Sequence, residues 1–220
     1  ITVQNLVFKN VYVRAAGTEQ YGYGTAVSFT NTVTNILAAH NTVDDAYIGI
    51  GVSYGGGSSN IRFSYNTMTN TNWGLRAGDR TSASSLDTLT IDHNNASQFA
   101  NWDDSLSNSF HHNGFYGWAE SGGMLRNVKI YDNTFGPAWG IHTTGGVFMS
   151  GDFGSTQIYN NLFLDNANEA PSNGLISLWP HSGTGTGYQV YNNTIIGGGV
   201  GRGLYLTGGN GTSATTFTIK

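Results

Sequence analysis

The chain contains no cysteine, which excludes disulfides and thiolate metal sites. Charged residues fill only 10% of the 220 positions, the net charge is −4, and no basic run occurs anywhere. The cations that neutralise phosphates are therefore missing, so nucleic acid is not an expected partner. Proline is nearly absent, at 3 residues against 32 glycines. That balance argues for many tight turns in a regular structure and against a disordered linker. No apolar run approaches the length of a membrane span, and the amino end does not read as a signal peptide. No segment combines a sustained 3.6-residue apolar stripe with helix caps, so helix should be scarce.

What the sequence has is a recurring pattern. "VYNNTI" at Val190–Ile195 is echoed by "IYNNLF" at Ile158, "IYDNTF" at Ile130, "FSYNTM" at Phe63 and "AAHNTV" at Ala38. Anchoring on the shared Asn gives Asn5, Asn41, Asn66, Asn94, Asn133, Asn161 and Asn193, at intervals of 36, 25, 28, 39, 28 and 32. A weaker copy, "SFHHNGF", places Asn113 inside the widest interval. These periods lie in the range of repeat architectures. Within each copy the apolar residues alternate, as Val128 and Ile130 do around Lys129, which is a strand pattern. A second short strand follows most anchors, as in "YIGIGV", "WGLRA", "GVFM" and "GLYL", and Gly clusters such as "YGGGSS" close the turns.

Short strands in every copy, no helices and variable turns predict a solenoid wound from strands, a single-domain parallel β-helix of about seven or eight coils. An Asn at the same corner of every coil can bond to the Asn above and below, and can take the left-handed conformation that turns the corner. The motif set resembles the right-handed parallel β-helix repeat proteins, the pectate-lyase-like superfamily. That resemblance implies the fold and, for enzymes of the superfamily, cleavage or epimerisation of acidic polysaccharides. Their signatures are missing, however: no arginine opens an R-x-P-x-x-R stretch, and the N-T-D, G-H-G, R-I-K and D-P-H-E elements do not occur.

Candidate chemistry is sparse. Asp103 and Asp104, in "NWDDS", could act as an acid/base pair or hold a hard cation such as Ca²⁺, provided that they lie in a turn. Solvated turn residues are the plainer alternative. No cofactor is otherwise expected. Arg76 in "WGLRAGD" and His142 in "WGIHTTGG" take equivalent places after Trp-Gly, so each should point outward if Leu75 and Ile141 point inward. A lyase could pair such a base and cation, although the anchors set them at least two coils apart.

The aromatic residues are more informative. Tyr47, Trp73, Trp102, Trp118 and Trp139 each fall five to eight residues after an anchor, which predicts an aromatic column near one corner. Such a column suits the C–H-rich faces of a sugar chain, and protein contact or simple packing are the alternatives. The expected function is a non-catalytic extracellular or cell-surface adhesin, fibre or spike segment that contacts polysaccharide; the alternative is a polysaccharide lyase or glycosidase. Both termini fall in strand-like runs, so continuation as a longer solenoid or end-to-end self-association is also expected.

Overall fold

The structure is a computed structural model, and it describes residues 1–12, 24–53, 57–79, 85–103, 111–119, 123–165, 173–181, 187–197, 202–207 and 217–220. Every strand pairing among them is parallel. One sheet stacks the strands Thr2–Gln4, Thr34–Ala39, Ser58–Ser64, Ser85–Asp92, Met124–Tyr131, Thr156–Tyr159, Tyr188–Tyr191 and Phe217–Ile219, in chain order.

The second sheet divides into two ladders because the strands Thr42–Ser53 and Thr67–Asp79 are long enough to serve both. Their first residues join Val7–Val11, Asn95–Ser97, Thr134–Phe135, Leu162–Leu164 and Thr194–Ile196. Their last residues join Thr25–Thr30, His112–Ala119, Thr143–Gly151, Ile176–Pro180 and Leu204–Leu206. Each circuit of the chain thus lays one strand on each of three ladders. The result is all-β and curled around a common core, consistent with a β-solenoid. The only helix among the described residues is the four-residue 3₁₀ turn Phe99–Trp102. The expected Gly-rich turns fall largely outside the described residues.

Alternation puts every second side chain inside, where residues of equal register stack. On the first ladder the inner column is Ala38, Phe63, Ile91, Ile130, Ile158 and Val190. On the second it is Val43, Met68, Ala96, Phe135 and Phe163, and on the third Ile50, Leu75, Phe115, Val147 and Ile176. All are buried, and each large side chain contributes roughly 1.5–3 kcal/mol of transfer free energy.

The recurrent asparagines line the corner between the first two ladders. From Asn41 through Asn66, Asn94, Asn133 and Asn161 to Asn193, each side-chain amide donates to the Oδ1 of the next at 2.9–3.0 Å. The backbone N–H of each donor residue reaches the same oxygen at 2.9–3.1 Å. The second amide hydrogen goes to a backbone carbonyl of the circuit before, such as Ile130 for Asn161 at 2.9 Å. Buried amides are thereby satisfied along the whole stack, which is the condition for burying them at all.

Three details differ from the sequence expectation. Leu6, not Asn5, occupies the anchor position of the first circuit, its N–H donating to Asn41 Oδ1 at 3.2 Å. Asn113 is not an anchor, because it pairs in register with Trp73 and Gly145 on the third ladder. The left-handed corner residue is the one before each anchor: Asn5, His40, Tyr65, His93, Asp132, Asn160 and Asn192 all have φ between 52 and 59°. The anchor needs its own N–H and amide aimed along the stack, so a neighbour makes the turn. Two further rows of left-handed residues, one through Asn35 and Asn60 and one through Asn10 and Asn70, bend the chain within and between ladders. Asparagine tolerates that conformation best among side-chain-bearing residues, which accounts for its abundance here.

Replacing Asn161 by Leu leaves the Asn133 N–H and amide without their acceptor, and should lower unfolding stability by about 3 kcal/mol. Urea denaturation measures this; a loss below about 1 kcal/mol would contradict the ladder's role.

Candidate functional site

The third ladder carries the feature of interest on its outer face. Because Leu75, Phe115 and Val147 point inward, their register neighbours Arg76, Tyr116 and Phe148 point outward. Successive circuits contribute Tyr47, Trp73, Tyr116, Phe148, Trp179 and Tyr205, one ring each, with neighbouring centroids 5.3, 5.1, 5.6, 5.4 and 5.9 Å apart. All six are half-buried. Trp118 adds a ring beside Tyr116 at 6.0 Å. Contacts of this kind contribute about 0.5–1.5 kcal/mol each beyond burial, so the row is also a packing element.

Along it runs a cleft of about 540 Å³, walled by Trp73, Tyr116, Trp118, Phe148 and Trp179. Its polar lining is His111, Asn113, Thr144, Ser150 and Asn173. Asn113 donates its amide to Thr144 Oγ1 at 2.7 Å and to the Gly145 carbonyl at 2.9 Å, while its Oδ1 has no partner. Ser150 lies 3.2 Å from His181 Nε2. Behind this face a column of glycines, Gly49, Gly74, Gly114 and Gly146, packs against the core residues Met68, Ala96, Phe135 and Phe163. A Cβ on any of them would come within 2.4–2.8 Å of a carbonyl oxygen on the next circuit. No side chain larger than hydrogen fits there.

The expected aromatic column is distributed differently. Tyr47 and Trp73 stand in the outer row, and Trp118 lines the cleft. Trp102 is fully buried, 5.7 Å from the Tyr47 ring, and donates its indole N–H to the Asn70 carbonyl at 2.8 Å. Trp139 is also fully buried, stacked on Phe99 at 4.9 Å and donating to the Leu164 carbonyl. Those two indoles offer no face to a ligand. Counting from anchors misplaced them because excursions between the second and third ladders differ in length from circuit to circuit. Tyr116, Phe148, Trp179 and Tyr205 were missed. Their signal was an aromatic adjacent to a core residue in "GFYGW", "GVFM", "LISLWP" and "GLYL". There the outer position is itself apolar, so the alternation is masked.

The two Trp-Gly frames prove inequivalent. Leu75 is buried, but Ile141 is 51% exposed and sits in a turn. Gly74 aligns with Gly114 and Gly146, not with Gly140. Arg76 and His142 therefore do not converge: Arg76 lies on the strand on one side of His112–Ala119, in register with Tyr116 and through it Phe148, and His142 lies in the turn before the strand on the other side. Arg76 instead lies over the Trp73 ring, 5.3 Å from its centroid. His142 packs edge-on to His112 at 6.3 Å.

Asp103 is placed by a different logic. It follows the 3₁₀ turn and accepts from His112 Nε2 at 2.8 Å on one oxygen and from the Ile141 N–H at 2.8 Å on the other. The other imidazole nitrogen lies 2.8 Å from Asn72 Oδ1, and His112 is fully buried. Gly140, at φ 81°, admits this contact, since a Cβ there would strike the Asp103 carboxylate. Burial alone would raise the Asp103 pKa, but the hydrogen bonds from His112 and Ile141 and the nearby imidazoles hold it below 3.8. The His111 pKa is lowered, through lost hydration first and then through the neighbouring imidazoles of His112 and His142. Asp104 lies outside the described residues, and no cluster able to hold a metal occurs among those described. Asp44 accepts from Thr69 and Asn70 at 3.0 and 2.7 Å, and Asp45 is a left-handed corner residue.

The depressed Asp103 pKa means that its contribution to stability is present above pH 3.8 and lost as pH falls through the folded-state value. Asp103→Asn should be less stable at neutral pH and should lose less stability on acidification than the parent. Denaturation midpoints across that range measure both, and parallel acid profiles would contradict the assignment.

No family model, curated protein or solved structure matches this chain.

Proposed function

We propose that the chain is a right-handed parallel β-helix of the pectate-lyase-like kind, a segment of an extracellular or surface protein, and that it binds polysaccharide without cutting it. The ligand lies along the cleft of the third ladder. The observation that carries this reading is the outer row of six rings, one per circuit. Contiguous apolar surface of this extent usually marks a contact site, and clefts with apolar walls and a few polar groups are where small ligands bind. Pyranose rings present C–H-rich faces to aromatic walls and hydroxyls to a polar rim. Here the rim is supplied by Asn113, Asn173, Thr144 and Ser150.

The catalytic alternative has one observation in its favour, the carboxylate–imidazole pair of Asp103 and His112. That pair is better suited to bracing. His112 is buried with both nitrogens engaged, and it ties strand Thr67–Asp79 and the 3₁₀ turn to the strand whose Asn113, Tyr116 and Trp118 line the cleft. A general base needs a nitrogen within reach of substrate.

Affinity electrophoresis against a panel of polysaccharides tests the proposal. Binding should be detected, and Tyr116→Ala or Trp179→Ala should weaken it about tenfold or more, as loss of a stacking aromatic does at other binding sites. Asn160→Ala, on another corner, should leave binding unchanged. Unaltered affinity in both aromatic variants would place the ligand elsewhere.

A further inference from the structure

We infer that the cleft selects a neutral glycan over an acidic one; this inference rests on the carbohydrate reading above. Among the described residues that line the cleft there is no Asp, Glu, Lys or Arg. Its polar groups are amides, hydroxyls and the imidazole of His111, which is uncharged at neutral pH because burial and two neighbouring imidazoles lower its pKa; all of them both donate and accept and so match sugar hydroxyls in either sense. An acidic polysaccharide carries an anion on each repeating unit. Laying carboxylates against indole and phenyl walls would strip their water with no cation to replace it.

Among the described residues two arginines lie against rings of the row, and their placement argues the same way. Arg76 sits over Trp73 at one end, and Arg202 over Tyr205 at the other, 4.7 Å from the ring centroid. From Arg76 the register column runs through Tyr116, Phe148 and Ser177 to Tyr205, with no further charge on those circuits. A regularly charged ligand would require cations at the circuit repeat, which is how a solenoid would most simply supply them. The walls run from the Trp73 circuit to the Trp179 circuit, three strand spacings or roughly 14 Å, so the ligand is a short run of sugar units in a longer chain.

The test compares binding of neutral polysaccharides (β-glucan, xylan, mannan) with polygalacturonate and alginate, at low and high salt, for the parent chain, Arg76→Gln and Trp179→Ala. The inference expects binding to at least one neutral polymer that salt leaves within about twofold, since no screened charge pair contributes. Arg76→Gln should retain that affinity and Trp179→Ala should lose it. Preferential binding of an acidic polymer, weakened by salt and by Arg76→Gln, would overturn the neutral assignment while leaving the carbohydrate reading intact. Binding to none of the polymers would overturn both.

Discussion

Each hydrogen or oxygen of a buried carboxamide that is left without a partner costs about 1–3 kcal/mol, so a stack of buried amides is stable only where they satisfy one another. In this chain six asparagines meet that requirement along one stack: the Oδ1 of Asn66, Asn94, Asn133, Asn161 and Asn193 each takes the N–H and the amide of the preceding asparagine, and that of Asn41 takes the Leu6 N–H. The constraint is strict about register. A circuit slipped by one residue would aim an apolar side chain at the corner and turn every core residue outward. The three inner columns of aliphatic and aromatic residues follow from the same alignment. So do the rows of left-handed residues that let the chain bend at fixed places.

Register also explains how one face becomes distinctive. Once the anchor is fixed, a residue's place on a ladder decides whether it faces in or out, and equal places recur at the strand spacing. The third ladder arrays one ring from each of several successive circuits, Tyr116, Phe148 and Tyr205 in one register column and Trp179 two residues along the strand from it, while the glycine column behind them packs against the core. The Asn72–His112–Asp103 chain supports this face from behind. It links a strand on one side of the cleft to the 3₁₀ turn and, through the Ile141 N–H, to the turn that leads into the next strand. Charge is scarce because a stacked fold repeats each position against itself, and like charges at one strand spacing repel.

The repeat, the alternation and the stacked asparagines were readable in the sequence because each is local and recurs. "IYDNTF" and "IYNNLF" declare the same corner without reference to the rest of the chain. What was not readable depended on path length between ladders. The interval from Asn94 to Asn133 is a single circuit with a long excursion, so Asn113 imitated an anchor and drew Trp118 into a false frame. Trp139 looked equivalent to Trp73 because both precede glycine, yet one glycine packs on a neighbouring strand and the other turns the chain at φ 81°. The cleft aromatics were hidden for a simpler reason. An apolar residue on the outer face is indistinguishable from core until the facing direction is known.

Amide hydrogen exchange, followed with and without a bound oligosaccharide, addresses the claim that one register both builds the core and arrays the binding face. The backbone amides of Asn66, Asn94, Asn133 and Asn161 should exchange slowly in either state. Added protection on binding should be confined to the strands His112–Ala119, Thr143–Gly151 and Ile176–Pro180 and the residues beside them. Fast exchange at the anchor amides, or ligand protection concentrated on the sheet that contains Met124–Tyr131, would contradict the account.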